Sequence, residues 1–318
     1  MYILDKQIQC KSRSDRIEVF PFFDCHVGKR NCAEKAIRKQ IDEIKRREEM
    51  PNRQVVVVLG GDQVNAINPA DIRRFDFNEL ADWFVVPSEV ELAKALSTRE
   101  VASIVRAKLS NIAEQEVSRF VSIFKPVKHL IVGALYGNHE KAMRTRQNVD
   151  VHSAVCERLG IVNLTDEALV NLRCTRRVGG SRTSHTITLY LRHGYGAGRT
   201  AGAEPNKLAR MVGEWECADV CLSGHSHSYQ IMPPKPVPYV TRTKEGELNL
   251  RYRYRFGANP GCWLYSHYLG EGSYESASCY PAKPMMTCKV VIWPFYGTTE
   301  NGKSVDWPKV ELREYPIL

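Results

Sequence analysis

Five apolar, β-prone runs in this chain each end, within a few residues, on a group able to hold a divalent metal ion. Ile17-Glu18-Val19-Phe20 leads into Asp24-Cys25-His26, and Val55 to Leu59 leads into Gly61-Asp62. His129 to Leu135 precedes Gly137-Asn138-His139-Glu140, and Thr186 to Leu191 precedes His193-Gly194. Val220-Cys221-Leu222 precedes Gly224-His225-Ser226-His227. Open α/β sheets bind ligands beyond the carboxyl ends of their strands. Five strands that each deliver an oxygen or an imidazole to one edge therefore constrain both the fold class, α/β, and the place of the site.

The residue types suit a pair of ions. Two divalent cations about 3.5–4 Å apart need a bridging anionic oxygen, which a carboxylate supplies. Mixed imidazole and carboxylate donors suit borderline metals such as Zn2+, Mn2+ and Fe. The i, i+2 spacing of Asp24 and His26, and of His225 and His227, places each pair on one face of an extended strand. Glycines at 61, 137, 194 and 224 let the backbone turn sharply and approach the ions. Asn138 offers a neutral carbonyl oxygen, which directs the adjacent His139 toward a substrate. The expected cofactors are two divalent ions, Mn2+ first, with Zn2+, Fe, Ni2+ or Mg2+ as alternatives.

Composition bounds the rest. The 318 residues, 43% hydrophobic and 25% charged, fit a globular chain, read here as a single domain over 1–318. No apolar run approaches the ~20 residues that span a bilayer, so no membrane partner is expected. Met1 to Lys6 lacks a basic segment followed by an apolar core, so the expected location is cytoplasmic. The ten cysteines form no Cys-x-x-Cys pair, which points to buried thiols rather than a zinc knuckle or a disulfide framework. The formal charge of +9 favours an anionic partner without identifying one. No pattern sets the oligomeric state.

Helical and extended patterns alternate along the chain. Asn31 and Glu34 form a near capping box before Ala33, Ile37, Ile41 and Ile44, which share a helical face. A helical insert is expected over about 66–126. Ser97 and Glu100 make a second capping box there, and Val101, Val105, Leu109, Ile112, Phe120 and Phe124 form a stripe that Pro126 ends. Asn65 to Pro87 reads as a loop beside the site. Asp150 caps a helix bearing Val151, Val155 and Leu159, and Leu208, Met211, Val212 and Trp215 mark another. After the break at Pro233-Pro234-Lys235-Pro236, Arg251 to Phe256 alternates with period two and Cys288 to Trp293 is a compact apolar run. The segments over about 238–318 are expected to complete a second sheet.

Asp24-x-His26, Gly61-Asp62, Gly137-Asn138-His139-Glu140, His193 and Gly224-His225-x-His227 resemble, in order, the motifs of the calcineurin-like metallophosphoesterase superfamily. The resemblance covers residues 17 to 230. It implies a four-layer αββα sandwich of two mixed β-sheets flanked by helices, with a dinuclear centre at the strand ends. It also implies that Asp24, His26 and His227 hold one metal, that Asn138, His193 and His225 hold the other, and that Asp62 bridges both. His139 would act on the phosphoester. Gln63-Val64-Asn65-Ala66 stands where the protein Ser/Thr phosphatases carry an Asp-Arg-Gly segment, which argues against phosphoprotein substrates. His193 to Thr200 and the insert are similar to metallophosphoesterases of bacterial and phage genomes.

The function expected from these residues is metal-dependent phosphoester hydrolysis. A hydroxide bridging the metals would attack phosphorus in line, and His139 would protonate the leaving oxygen. A phosphodiesterase is the first reading. A DNA or RNA nuclease of the repair-exonuclease type and a small-molecule phosphomonoesterase are the alternatives. Arg199 would clamp a phosphate, with Asn138 beside it on the substrate; Arg144 and Arg146 are weaker candidates for the same role. Arg251, Arg253 and Arg255, with Tyr252 and Tyr254, read either as a nucleic-acid surface or as an amphipathic outer strand. Cys25 points away from the metals into the core. His129, His152, His185 and His267 read as surface or strand-end residues.

Overall fold

Val55 to Leu59 is buried on both faces, as a central strand requires. The structure, a computed structural model, describes residues 1–67, 75–76, 79–84, 99–100, 111–196, 202–242, 246–266, 283–295, 297–298, 304–305 and 308–317. Its main elements run β1 (Tyr2–Cys10), β2 (Arg16–Phe22), α1 (Glu34–Glu48), β3 (Arg53–Leu59), α2 (Ile112–Phe124), β4 (Ile131–Ala134), α3 (Asn138–Gln147) and α4 (Val151–Leu159). They continue β5 (Glu167–Val178), β6 (Ser181–Arg192), α5 (Ala203–Glu214), β7 (Val220–Ser223), β8 (Tyr229–Ile231), β9 (Lys235–Arg242), β10 (Leu248–Pro260), β11 (Met286–Trp293) and β12 (Lys309–Pro316).

Two mixed sheets result. One has the order β1-β5-β6-β7-β10-β8, with β9 paired to β10; the other has the order β12-β11-β2-β3-β4. Side-chain alternation sorts the β-strand residues into separate cores. Ile17, Val19, Val56 and Val58 face Leu189, Leu191, Val220 and Leu222 between the sheets. Phe20, Phe22, Val55, Val57 and Leu59 face the other way, onto Ile37, Ile41 and Ile44 of α1 and Phe120 and Phe124 of α2. Met211 and Val212 of α5 cover Leu169, Tyr190 and Cys221 on the outer face of the first sheet. The layers are therefore helix, sheet, sheet, helix. Removing one of these buried aliphatic side chains down to alanine should cost about 2–5 kcal/mol.

Some local expectations change. Asn31 is not a helix cap: its amide donates to the Tyr265 carbonyl at 2.7 Å, and Ala33 occupies the N-cap position of α1. Asp150 does cap α4, accepting the Ser153 N–H at 2.9 Å. His129 and Leu130 belong to a 3-10 turn over Lys125–Leu130 rather than to β4, because Pro126 at its start fixes φ for a turn. In the insert, Ile112, Phe120 and Phe124 lie on α2, whereas Ser97, Val101, Val105 and Leu109 lie outside the described residues. The segments over about 238–318 do not all join one sheet: β10, with β9 paired to it, extends the first, while β11 and β12 complete the second. Parallel pairing of Phe256, Gly257 and Ala258 with β7 carries the chain back into the first sheet past the prolines.

Candidate metal centre

The groups beyond β2, β3 and β7 are aimed by turns, not by strand alternation. Asp24, His26, Asp62, His225 and His227 all have positive φ, at 52°, 46°, 49°, 69° and 55°. The i, i+2 argument for Asp24 with His26 and for His225 with His227 is therefore corrected: left-handed backbone brings each pair to one side. Such conformations are sparsely populated and persist where surrounding bonds over-determine them. Those bonds join loop to loop. Asp24 N–H donates to Gly61 O at 3.1 Å, His26 N–H to Asp62 O at 2.9 Å, and Gly224 N–H to His193 O at 2.9 Å.

Three carboxylate and imidazole groupings result: Asp24, His26 and His227; His26, Asp62 and His139; and Asp62, His193 and His225. Within each, the candidate ligand atoms lie within 4.8 Å of one another. Asp62 belongs to two groupings, and its Oδ2 stands 3.6 Å from His26 Nε2 and 3.4 Å from His193 Nε2. Asp24 Oδ1 lies 4.0, 3.9 and 3.7 Å from the Nε2 atoms of His26, His193 and His227. Asn138 Oδ1 is 3.0 Å from His193 Nε2 and 2.6 Å from His225 Nδ1. The structure thus brings all seven residues expected as ligands, and His139, to one place.

The donors fit a divalent cation by two observations. Asp24 Oδ1 is buried with no hydrogen-bond partner, although three imidazoles surround it. Those separations exceed a hydrogen bond yet approach the spacing of about 3.4 Å expected between donors about 2.1 Å from a shared ion. His193 Nδ1 also donates to the Gly60 carbonyl at 2.8 Å, the bond that typically orients a metal-binding imidazole.

Charge in the cluster is unevenly held. Burial raises the Asp24 carboxyl against the pull of His193 and His227. Burial also acts upward on Asp62, but His193, His139 and His26 together outweigh it and hold that carboxyl well below the usual range. Burial would strip His193 of its proton, yet Asp62 and Asp24 lift its imidazole to about 10. His26 is driven well below the ordinary imidazole value by burial and then by His139. His225 falls to about 4 through burial and His193. The carboxylate pair demands positive charge, and a divalent cation would meet that demand in place of a proton.

Glu140, which the motif contains but pattern reasoning gave no role, is the clamp beneath this cluster. Its Oε1 accepts the N–H groups of Gln63 at 2.6 Å and Val64 at 3.3 Å, and its Oε2 those of Asp62 at 3.1 Å and Gly137 at 3.0 Å. Burial, and then Asp62, push its carboxyl up to about 8. Gly137 is required because a Cβ there would strike the Asp62 carboxylate. Glu116 of α2 is a second clamp: it accepts Ala66 N–H at 3.0 Å and packs against Gly28. Only its place on the buried face of an amphipathic helix could have signalled it.

Of the remaining candidates, Cys25 lies in the core, and all nine described cysteines are free thiols. His139 Nδ1 donates to the Asn65 carbonyl at 2.6 Å, because a carbonyl only accepts. Arg144 turns to Tyr136 Oη and Asp150 instead of the cluster, and Arg144 and Arg146 both sit in the last turn of α3, away from its site-facing start. His152 is fully buried, not at the surface: it packs on Tyr136, and burial lowers its imidazole to about 4. Arg199 and His267 lie outside the described residues. Arg255 is buried and donates to Val212 O and Glu216 O, and Arg253 pairs with Asp219. Two of the three arginines of the expected nucleic-acid stripe are thus committed within the fold.

No protein-family model matches the sequence, and no curated protein matches it. Among solved structures, the chain is similar to a conserved uncharacterized protein, a predicted phosphoesterase, from Streptococcus pneumoniae TIGR4. Identity is 12%, over 94% of this chain and 98% of that one, with a TM-score of 0.31. That likeness is distant, and the site speaks through its own residues. No described helix is long and apolar enough to cross a membrane.

Proposed function

We propose that this chain is a metal-dependent phosphoesterase, acting first on phosphodiesters. The single observation that carries the reading is Asp62, a buried carboxylate shared between two imidazole groupings at the ends of five strands. Asp24, His26 and His227 would hold one divalent ion, and Asn138, His193 and His225 the other, with Asp62 common to both. When bound, such a pair neutralises phosphoryl oxygens and acidifies a water for in-line attack.

The chain's own residues supply the rest. The Asn65 carbonyl holds the His139 ring through Nδ1, which leaves Nε2 as the atom that would pass a proton to the leaving oxygen. The Asp62 carboxylate accepts His139 N–H at 3.0 Å, which ties the acid to the shared ligand. Asn138, His139, His225 and His227 are only partly buried, so substrate would approach from their side. A cleft lined by Arg192, Tyr195, Lys207 and Arg210 opens beside Gly194 and Gly224, with Glu214 paired to Arg192 and Glu204 to Lys207. Arg199 is the proposed phosphate clamp.

The commitment of Arg253 and Arg255 within the fold removes a motive for the nuclease reading, so a small phosphodiester is the favoured substrate. The test is hydrolysis of bis-nitrophenyl phosphate against nitrophenyl phosphate and against single- and double-stranded nucleic acid, each with Mn2+, Zn2+, Ni2+ and Mg2+. Diester turnover above monoester turnover is expected. A folded protein that takes up metal yet hydrolyses none of these would end the phosphoesterase reading.

A further inference from the structure

The ribbon formed by β9 and β10 carries its polarity inside out. Directly opposed residues of an antiparallel pair share a face, and the register sets Leu248 against Arg242, Leu250 against Val240, Tyr252 against Pro238 and Tyr254 against Pro236. This face is turned to solvent: Val240, Leu248, Leu250, Tyr252 and Tyr254 are 62, 66, 61, 54 and 53% exposed. The opposite face leaves Asn249 and Arg251 exposed toward the hairpin end and looks toward the body of the protein where the ribbon nears β7. There Arg253 reaches Asp219 at 2.6 Å and Cys217 O at 3.1 Å, Arg255 is buried, and Val237 and Tyr239 are half-buried. An antiparallel ribbon ordinarily packs its apolar face inward and wets the polar one. Here Arg255 is turned in, Arg253 is exposed but tied to Asp219, Arg251 is exposed, and the aliphatic and aromatic ladder is turned out.

We propose that this ladder is the contact face of a homodimer, with the ribbon of a second copy of this chain as its occupant. Area is the first reason. The five exposed side chains present on the order of 500 Å2 of surface, in the upper part of the range of about 300–600 Å2 for the largest and often functional apolar patch of a monomer, and most of the roughly 800 Å2 per partner of a standard interface. Charge is the second. The protein carries +9, but this face bears a single charge, Arg242, at one end of the ribbon. A two-fold axis that runs the ribbons antiparallel sets the two Arg242 side chains at opposite ends, so apolar residues meet apolar residues. Edge chemistry is the third. β9 carries Pro236 and Pro238, which lack the N–H groups an added strand would need. The ribbon is thus suited to face-to-face packing rather than to sheet extension. A membrane surface fits less well, because the arginines that would meet headgroups lie on the other face.

Sedimentation velocity of the 318-residue chain across micromolar concentrations tests this. A species of twice the chain mass is expected. Leu250→Glu combined with Tyr252→Glu should weaken dimerisation at least about 30-fold while leaving the far-UV circular dichroism and its thermal transition in place. Arg251→Glu, on the opposite face, should leave the dimer intact. A wild-type chain that stays monomeric throughout overturns the proposal, as does a double variant that dimerises as tightly as wild type. Binding of monomeric wild type to phosphatidylcholine vesicles, lost in the double variant, would overturn it in favour of a membrane contact.

Discussion

Glu140 holds Asp62 by the backbone: its Oε2 accepts Asp62 N–H at 3.1 Å, while its Oε1 accepts the next residue's N–H at 2.6 Å. The carboxylate thereby fixes the loop whose side chain is shared between the two imidazole groupings, and it also receives Gly137 N–H from the start of α3. Glu140→Ala should leave several buried donors without a partner and destabilise the fold by about 3 kcal/mol or more. Metal affinity should fall about 10–100-fold, as when an outer partner of a ligand is lost. Glu140→Gln, which keeps the shape and one acceptor, should lie between. Denaturant unfolding and metal titration of both variants check this; an alanine variant with wild-type affinity would remove the clamp role.

Asp62 is the residue whose loss should reach both proposed ions. Asp62→Asn is expected to lower bound metal from about two equivalents toward zero, because the shared anionic oxygen is gone. His227→Ala should affect one equivalent only, since His227 belongs to a single grouping. Elemental analysis after Mn2+ loading distinguishes them. No more than one equivalent in the wild type would end the dinuclear assignment.

His139 should be needed for turnover rather than for metal retention. His139→Ala is expected to reduce kcat about 10²–10⁴-fold, the range for a lost general acid. The loss should shrink with a nitrophenolate leaving group, which needs little protonation. Because His139 also stands with His26 and Asp62, metal content is the deciding control. A collapse of metal content together with activity would make His139 a ligand.

Glu116 gives the fold a pH dependence of definite sign. Burial raises its carboxyl well above 4.5, so between the unfolded and folded values the native state binds more protons. Stability from this group is fully present below about pH 4.5 and is lost as pH rises toward the folded value, by about 1.4 kcal/mol per unit. Glu116→Gln removes the titration and keeps an acceptor for Ala66 N–H. Urea unfolding at about pH 5 and about pH 8 should show the variant gaining on wild type at the higher pH. Parallel stability curves would mean that Glu116 titrates normally.

Much of this architecture was legible because apolar periodicity and strand-end chemistry are local. The run Val55 to Leu59 announced a strand buried on both faces, and Asp150 announced the start of α4. The five ligand-bearing segments announced one site, but not that their strands divide between two sheets, with β2, β3 and β4 in one and β6 and β7 in the other. His129 and Leu130 misled, since Pro126 three residues earlier turned an apolar run into a 3-10 segment. His152 misled as well: a lone histidine carries no mark of burial until Tyr136 packs on it.

What the chain determined by itself was which groups stand where in order: carboxylates and imidazoles a few residues beyond β-prone runs, with glycines beside them. Tertiary structure decided how those groups converge. Left-handed turns at Asp24, His26, Asp62, His225 and His227 are held by bonds between loops far apart in sequence, and no local preference would set all of them. Glu140 and Glu116 became clamps only once α3 and α2 carried them beneath those loops. The alternation of Arg251 to Tyr254 was visible in the chain, but which face meets solvent depended on Asp219 and the end of α5 receiving the arginines. Periodicity separates two faces of a strand; only the surfaces packed against it choose between them.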